Sequence, residues 1–410
     1  MNNIYLIYEP NTNGFGIETY LREFLKCFTD DPEYIITIIS TQSSYNKITI
    51  EKRANNLRYV HIPSLLFSGK NYDSYYRNIL FILSGYIQEK TPIFFFHYKE
   101  QLKAFKYVKM LFPFSKTVFA VHYLGWPFLL KGDFDTFRSI LKKKENQRSQ
   151  EEKRIYDLFK EEQKMLAQKE LDAVVTLSHF THNLLINEYR IPEKKLFLIP
   201  NGLSDNYEEL STEKRNLLRK NYSLGKKDKV LLYVGRLEAT KGILDLLKAF
   251  EITAEKEKNL KLIIAGEGDF NTCLQYSKRC GNKIIYTAKV NQQELLVLYR
   301  IADAGVIPSY HEQCSYVAIE MMMHGLPILV SDGIGLEEMF TDKKNGKKYL
   351  LKEQENNPSY LSDVIMDFVK EDKINYQKEA RKKYLDSYSS DVMKSKITAM
   401  VNHVFTKKES

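Results

Sequence analysis

Two short apolar stretches decide the fold class: residues 231–235, LLYVG, and residues 262–266, LIIAG. Each is continuously apolar and ends at a glycine, as is typical of a strand buried on both faces of a parallel sheet. Similar runs alternate with helical patterns along most of the chain. The predicted strands are Ile4–Tyr8, Tyr34–Ile39, Leu57–Ile62, Pro92–His97, Thr117–Val121, Ala173–Leu177, Leu196–Ile199, Val230–Val234, Lys261–Ala265, Lys283–Tyr286, Ala304–Ile307 and Pro327–Val330.

These strands form two series, separated by the polar, turn-rich stretch NGLSDNYEELS at residues 201–211. Alternating strands and helices in two series predict an α/β protein with two Rossmann-like, doubly wound parallel-sheet domains. A chain of 410 residues is long enough for two such cores. We place the first domain at residues 1–205 and the second at residues 206–390.

Composition excludes several classes of protein. Hydrophobic residues make up 43% and charged residues 28%, ordinary values for a folded globular chain. No run approaches the roughly 18 apolar residues of a membrane-spanning helix, and the start, MNNIYLIYEP, lacks the features of a signal peptide. We therefore expect a cytoplasmic protein, or one peripheral to the inner face of the cell membrane. The four cysteines lack CxxC spacing, which favours buried thiols over disulfides or zinc.

The most informative stretch for function is EQCSYVAIEMMMHGLPILV, residues 312–330. A helix is predicted to begin near Ser315, a good N-cap, and to end at Gly325. The loop before it follows a strand, where open α/β sheets bind ligands, and helix-start amides favour a phosphate. Glu312 and Glu320 bracket this helix start, and carboxylates can accept hydrogen bonds from a vicinal diol such as a ribose. The alternative is a capping Glu312 and a surface Glu320.

A second stretch, YVGRLEATKG at residues 233–242, follows a predicted strand. Gly235 and Arg236 lie in its loop, and Lys241 lies where the next helix begins. Arginine offers a planar fork to phosphate oxygens, and lysine offers a mobile point charge. The pattern therefore indicates a phosphate site, with two surface cations as the alternative.

The first predicted strand is followed by a glycine-containing turn, NTNGFGIET, at residues 11–19. Gly14 and Gly16 would let a diphosphate approach the backbone closely at a helix start. Thr19 stands where a complete GxGxxG pattern requires glycine. An ordinary tight turn is the alternative.

Together these stretches resemble the family 4 glycosyltransferases of the GT-B fold. The resemblance covers nearly the whole chain and is strongest over residues 229–350. The family's E-x7-E and GRxxxxKG signatures are matched by Glu312, Glu320, Gly235, Arg236, Lys241 and Gly242. Where the family commonly has Phe-Gly after the first glutamate, this chain has Cys314 and Ser315. We therefore expect the sugar-facing loop to suit a less common donor or substituent.

The resemblance implies two Rossmann-like domains that face a cleft, with a final helix at about residues 391–405 that crosses back to the first domain. It implies retaining transfer of a sugar from a UDP- or GDP-linked donor to a glycan, lipid-linked or protein-linked acceptor. It requires no obligatory metal ion and no cofactor beyond the nucleotide sugar. The family context places such enzymes in the assembly of surface polysaccharides and glycoconjugates.

The resemblance also implies roles for individual residues. Arg236 and Lys241 would hold the donor diphosphate, Glu320 the ribose, and Glu312 the hydroxyls of the transferred sugar. The implied catalytic residues are Glu312, His122, Arg236 and Lys241. The implied donor-binding residues are Gly14, Gly16, Arg236, Lys241, Lys289, Val290, Glu312, Cys314, Ser315 and Glu320.

Within that set, the base would lie near Lys289 and Val290. In the family a histidine after the fourth or fifth strand of the first domain often faces the sugar. His122 matches this position best and His97 second. For each histidine the alternative is a loop or core residue whose hydrogen bonds are satisfied within the fold.

Other functions fit parts of the pattern. A GT-B-fold sugar-nucleotide epimerase or phosphorylase would use the same nucleotide site. A nicotinamide dehydrogenase would need the glycine pattern that Thr19 interrupts, and a nonenzymatic basic binding protein would account for the charge alone. The net charge of +9 indicates an anionic partner. Because acidic residues offset the KKK run at residues 142–144, we expect no nucleic-acid partner.

A membrane surface is one such anionic partner. Residues 99–112, KEQLKAFKYVKMLF, form a helix candidate in which Lys99, Lys103 and Lys106 share one face beside a broad apolar side. Such a helix could lie on an anionic leaflet. The alternative is an ordinary crossover helix with its apolar side on the sheet and its lysines in water.

Overall fold

The apolar runs of the sequence form the strands of the protein, as seen in a computed structural model that describes residues 2–8, 15–64, 72–354 and 357–406. Each of the predicted strands is present there. The strands, β1 to β14 in chain order, are Asn2–Tyr8, Tyr34–Ser43, Thr49–Lys52, Leu57–Pro63, Ile93–Phe96, Lys116–Val121, Ala173–Thr176, Leu196–Leu198, Lys229–Val234, Leu260–Ala265, Ile284–Ala288, Ala304–Ile307, Ile328–Ser331 and Lys347–Tyr349.

The described strands form two sheets. The first has eight strands in the order β3-β4-β2-β1-β5-β6-β7-β8, and its neighbours are parallel except for the antiparallel pair β3–β4. The second has six strands in the order β11-β10-β9-β12-β13-β14, all parallel. Residues of β7, β12 and β13 are buried throughout, as expected of strands covered on both faces. The prediction of two parallel-sheet α/β domains is confirmed.

Helices connect the strands and cover the sheets. The helices, α1 to α17 in chain order, are Phe15–Phe28, Tyr72–Ser84, Phe105–Leu111, Trp126–Leu129, Phe134–Lys142, Gln150–Leu166, His179–Asn187, Thr212–Asn221, Ile243–Lys256, Phe270–Gln275, Gln292–Ile301, Tyr316–Met323, Leu336–Met339, Leu351–Gln354, Pro358–Lys370, Ile374–Ser387 and Ser390–Thr406. Short 3-10 helices are Lys99–Ala104, Glu145–Gln147, Glu193–Lys195, Ala239–Lys241 and Gly281–Lys283. In the second sheet's core, α9 and α15 bury Leu246, Phe250 and Phe368.

The chain divides into two units, each built on one sheet. The first comprises Met1–Trp126, Arg138–Ser204 and Ser390–Ser410, and the second comprises Pro127–Phe137 and Asp205–Ser389. The main division falls one residue from the boundary placed between residues 205 and 206. The last helix, α17, belongs to the first unit, where it packs on α1.

Residues 127–137 do not lie in the first domain, where the sequence predicted them. In the structure they pack within the second unit. A β-carbon on Gly132 would lie 2.9 Å from the carbonyl oxygen of Tyr310, and the rings of Phe128 and His311 meet edge to face with centroids 6.0 Å apart. The reason is a packing contact between residues far apart in the chain, which local periodicity does not reveal.

In each sheet the strand order reverses beside one strand, so the connections from the two adjacent strands run to opposite sides. In the second sheet β9 lies between β10 and β12, and in the first sheet β1 lies between β2 and β5. Open α/β sheets bind ligands outside the carboxyl ends of such strands. The loops after β9 and β12 are therefore the place to look for a site in the second unit.

Residues 99–112 form the 3-10 helix Lys99–Ala104 followed by α3, and their apolar side is buried at Leu102, Phe105 and Val108. The Lys106 ammonium lies 2.6 Å from the Asp73 carboxylate, and that of Lys99 lies 3.4 Å from Glu162. This arrangement is that of a crossover segment, the alternative that the sequence left open. No helix among the described residues combines the length and apolar character needed to cross a membrane.

Candidate active site

The candidate site of the second unit is built from two loops at the carboxyl edge of its sheet. The loop after β9 leads into α9 at Gly242, whose backbone φ of +68° is in the left-handed region that favours glycine. A β-carbon there would overlap the carbonyl oxygen of Pro308, in the loop after β12. The Tyr310 amide donates to the Thr240 carbonyl at 3.0 Å. The two loops are therefore packed directly against each other.

This packing joins Lys241 to Glu312. The Lys241 ammonium lies 2.7 Å from Glu312 Oε1, and the Ser309 hydroxyl donates to the same oxygen at 2.9 Å. Both charged side chains are largely buried, with 20% of Lys241 and 16% of Glu312 exposed. Burial raises the pKa of Glu312, but the Lys241 charge and both hydrogen bonds outweigh it and hold that pKa below its usual value. Glu312 is consequently an ionised acceptor at neutral pH.

The backbone of the Glu312 loop is held from the neighbouring strand as well. Ser331, at the end of β13, donates its hydroxyl to the Ser309 carbonyl at 2.6 Å, and the Glu312 amide donates to the Ile334 carbonyl at 2.9 Å. Burial holds the pKa of the adjacent His311 at about 4, so this imidazole is neutral at neutral pH. A loop tied at both ends presents its carboxylate in a fixed geometry, as a binding site for a specific ligand requires.

The helix after this loop begins as predicted. Ser315 is the N-cap of α12, and its hydroxyl accepts from the Ala318 amide at 3.3 Å. Cys314 is buried beside it. Glu320 lies in the middle of α12, and its Oε2 accepts a hydrogen bond from the Tyr299 hydroxyl at 2.6 Å. Glu320 is therefore engaged by a neighbouring helix and is not the surface residue that the alternative supposed.

Arg236 and Lys289 are more exposed than Lys241. Arg236 lies just after β9, where its guanidinium is 2.8 Å from the Glu238 carboxylate and 43% of each side chain is exposed. Lys289 follows β11 and pairs with Glu267 at 3.3 Å, and Val290 is the next residue. The same sheet edge thus carries these predicted residues, but the described contacts place only Lys241 and Glu312 together. The side chains of Arg236 and Lys289 form separate local ion pairs.

The first unit holds the predicted histidines. His122 follows β6 and His97 follows β5, and a hydrogen bond of 3.0 Å joins His97 Nδ1 to His122 Nε2. The ring of Tyr20 packs against both. Burial lowers the pKa of His122 to about 3, and burial together with His122 holds the pKa of His97 well below its usual value. Both imidazoles are therefore neutral at physiological pH.

The predicted glycine turn is described only in part. Gly16 lies exposed in the first turn of α1, and a β-carbon there would meet nothing within 4 Å. Gly14 lies outside the described residues.

Two residues of the site were not singled out from the sequence. Ser309 lies three residues before Glu312 on the same loop, and a hydroxyl at that spacing from a candidate carboxylate was a usable signal. Tyr299 lies in α11, 21 residues before Glu320. In the sequence it belongs to an apolar helical pattern, so only the packing of α11 on α12 reveals its contact.

Comparison with known proteins finds similarity over the part of the chain that carries this sheet edge. Residues 214–384, within the second unit, match the family model described as Glycosyl transferases group 1. An uncharacterized glycosyltransferase of Methanocaldococcus jannaschii is 35% identical over 179 residues, 42% of this chain and 45% of that protein. The chain spans about half the length of the curated relatives it matches.

Solved structures match the whole chain. Sucrose-phosphate synthase of Thermosynechococcus elongatus gives a TM-score of 0.74 at 16% identity and covers 100% of both chains. An Anabaena protein crystallised with UDP and glucose gives a TM-score of 0.72 at 13% identity, over 98% of this chain and 100% of that one. At such identities the likeness establishes the fold alone. The two-sheet architecture is the GT-B fold, as predicted.

Proposed function

We propose that this protein is a retaining glycosyltransferase of family 4, which transfers a sugar from a UDP- or GDP-linked donor to a glycan, lipid-linked or protein-linked acceptor. The observation that carries the proposal is the Lys241–Glu312–Ser309 cluster at the strand-order reversal of the second sheet. It combines a cation for phosphate oxygens with an ionised, fixed acceptor for hydroxyl groups. Those are the two chemistries that a nucleotide sugar presents.

Lys241 would stabilise the departing diphosphate. An ammonium has three donors, and the Glu312 contact uses one of them, which leaves N–H groups for phosphate oxygens. The amides at the start of α12 would add partial positive charge on the same side of the sheet. Arg236, exposed and paired only with Glu238 among the described contacts, would turn from that partner to the second phosphate. Charge fixed in place before the reaction costs no reorganisation in the transition state.

The two glutamates would bind the two sugar rings of the donor, the transferred sugar and the ribose. Glu312 would accept hydrogen bonds from hydroxyls of the transferred sugar, because its carboxylate is ionised and its Oε1 is held by Lys241 and Ser309. Glu320, the fifth residue of α12, would accept hydrogen bonds from the ribose hydroxyls. The amides of Cys314 and Ser315 would face the sugar or the phosphate, and the base would lie beside Lys289 and Val290.

His122 would contact the transferred sugar as a neutral hydrogen-bonding group, because burial holds its pKa at about 3. A neutral imidazole does not carry a proton to the reaction at neutral pH. In the proposed front-face, retaining reaction the leaving phosphate accepts the proton of the acceptor hydroxyl. The backbone near Gly16 would assist the diphosphate.

We also propose which donors the protein uses, whether it needs a metal ion and what product it makes. The Anabaena neighbour binds UDP, which supports UDP-sugars as the first donors to test. The reaction would need no metal ion, and the product would be a surface polysaccharide or glycoconjugate made on the cytoplasmic side of the membrane.

A donor panel tests the proposal. The purified full chain is incubated with UDP- and GDP-sugars and a mixture of glycan and lipid-linked acceptors, and release of the nucleoside diphosphate is measured. We expect release with one donor, dependence on an acceptor, and a product with the anomeric configuration of the donor by NMR. An epimerised nucleotide sugar formed without acceptor would indicate the epimerase alternative. Turnover that requires inorganic phosphate would indicate a phosphorylase.

A further inference from the structure

One tyrosine of the second unit, Tyr299, is placed to control the carboxylate of Glu320. Its hydroxyl donates to Glu320 Oε2 at 2.6 Å, across the contact between α11 and α12. Only 2% of Tyr299 is exposed. A hydrogen bond from a neutral hydroxyl to a carboxylate is among the stronger ones in proteins, and burial protects it from competition by water.

The ring that carries this hydroxyl is also packed against a neighbouring imidazole. His324 ends α12, and its imidazole stacks on the Tyr299 ring with centroids 5.4 Å apart and planes 20° from parallel. Tyr207 packs against the same imidazole at 6.2 Å. Tyr299 therefore cannot follow a rotating carboxylate, and the carboxylate must adapt to the tyrosine.

We propose that Tyr299 is a positioning residue for ribose recognition: its hydroxyl fixes the rotation of the Glu320 carboxylate so that Oε1 meets a ribose hydroxyl of the donor. This inference rests on the proposed function, in which Glu320 binds the ribose. It adds a residue that touches no part of the ligand and acts only through Glu320.

Two further observations indicate that Tyr299 orients the Glu320 carboxylate and does not only link α11 to α12. Burial first, and then the charge of Glu320, raise the pKa of Tyr299 well above its usual value, so the hydroxyl remains a donor throughout the working pH range. Glu320 is half-buried and lies within the first two turns of α12, on the helix whose start follows Glu312. A carboxylate that rotates freely loses rotamer entropy when it binds a ligand. Because Tyr299 already fixes the Glu320 carboxylate in the free protein, this loss does not weaken binding.

The test is the substitution Tyr299→Phe in the full chain, which removes one oxygen and keeps the ring on His324. Binding of UDP, of GDP and of ribose-free inorganic pyrophosphate is measured by calorimetry, with phosphorus NMR for the weakest ligand. We expect the dissociation constant of the better nucleotide to rise about tenfold, as for loss of one hydrogen bond to a charged group. Pyrophosphate should bind as it does to the native chain.

Tyr376→Phe is the matched control. Tyr376 is buried in the same unit, and its hydroxyl donates to the Glu371 carboxylate at 3.0 Å, away from the strand-end loops. The Tyr376→Phe substitution removes a comparable hydrogen bond, and we expect it to change the binding of neither the nucleotide nor pyrophosphate. Equal losses for nucleotide and pyrophosphate in Tyr299→Phe would show a structural role and overturn the inference.

Glu320→Ala separates this inference from the proposed function on which it rests. If Glu320→Ala weakens nucleotide binding and Tyr299→Phe does not, the inference fails and the ribose role of Glu320 stands. If Glu320→Ala leaves nucleotide binding unchanged, or the native chain binds neither nucleotide, the proposed function fails and the inference with it. In wild type, 2′-deoxy or 3′-deoxy analogues of the better nucleotide should bind more weakly. In Tyr299→Phe that difference should shrink.

Discussion

Lys241 and Arg236 share a role in the proposed reaction, but the structure predicts that their loss affects the fold very differently. Lys241 is paired with Glu312 at 2.7 Å and both are largely buried, whereas Arg236 and Glu238 are each 43% exposed. We therefore compare Lys241→Met with Arg236→Met. Both remove a cation from the proposed phosphate site and keep an apolar side chain, so only the fate of the carboxylate partner differs.

The expected magnitudes follow from burial. Removing one partner of a fully buried ion pair costs about 3–5 kcal/mol. Because this pair is partly exposed, we expect Lys241→Met to cost about 2–3 kcal/mol. Removing one partner of an exposed pair costs less than about 1 kcal/mol, which sets the expectation for Arg236→Met. Both variants should lose at least about 1.5–3 kcal/mol of transition-state stabilisation, more than tenfold in kcat/KM.

Denaturant unfolding and steady-state kinetics measure the two effects separately. In the native chain the pKa of Glu312 is lowered, so this group contributes stability above its unfolded pKa that is lost as the pH falls. In Lys241→Met the Lys241 charge and its hydrogen bond no longer oppose burial, and only the weaker effects of Ser309 and His311 do, so the pKa of Glu312 should rise. The stability deficit of this variant should therefore grow as the pH rises through the unfolded pKa of Glu312. Adding Glu312→Gln should restore most of the stability, because no uncompensated charge remains, and none of the activity.

Three results would refute this reasoning. Equal loss of stability in Lys241→Met and Arg236→Met would mean that the buried Lys241–Glu312 pair contributes no more to the free energy of unfolding than the exposed Arg236–Glu238 pair. Recovery of turnover in the Lys241→Met/Glu312→Gln double variant would mean that Lys241 serves only to neutralise Glu312. Unchanged donor affinity and turnover in both single variants would remove the phosphate site from these residues altogether.

Further predictions concern ligands, acid and membranes. Glu320→Ala should weaken binding of the bare nucleoside diphosphate while Glu312→Ala leaves it nearly intact and damages transfer; calorimetry showing the reverse order would exchange their roles. Dialysis against EDTA should leave the transfer rate unchanged, and a rate restored only by a divalent cation would contradict this. His122 has a pKa of about 3 in the fold against 6.5 as the ordinary value, so the unfolded state binds the extra proton and stability falls as the pH drops from 6.5 towards 3. His122→Phe should lower the slope of unfolding free energy against pH by about one proton, about 1.4 kcal/mol per pH unit; an unaltered slope would show that this imidazole is protonated in the fold. Replacing the three lysines of residues 99–112 by alanine should not alter cosedimentation with anionic vesicles at low salt, because two of them have acidic partners in the fold; loss of binding would restore the membrane hypothesis for this segment.

Most of the fold follows from the sequence because strands buried on both faces are continuously apolar, and such runs need no knowledge of their neighbours. The strands that the sequence analysis missed, β3 and β14, lie at sheet edges. β3 alternates half-buried and exposed residues, and β14 has three residues, two of them lysines. An edge strand has only one neighbour to cover it, so its apolar signal is weak.

The residue types of the site were also predictable, but their pairing was not. Lys241 and Glu312 are separated by 71 positions, and their contact depends on how closely the loop at Gly242 approaches Pro308. The sequence pattern does not distinguish Arg236 from Lys241, because only packing separates a buried ion pair from an exposed one. The same holds for Tyr299, which an apolar helix pattern hides.

The segment of residues 127–137 has a consequence for anyone who recombines this protein with its relatives. A cut at residue 205 separates most of the two units, but it leaves residues 127–137, which pack on Tyr310 and His311 next to Glu312, in the wrong half. A chimera that takes residues 205–389 from one parent should therefore inherit residues 127–137 from the same parent. Where it does not, the mismatch would fall on the backbone that carries the Glu312 carboxylate. If Glu312 binds the transferred sugar as proposed, we expect donor specificity to change without any substitution in the loops after β9 and β12.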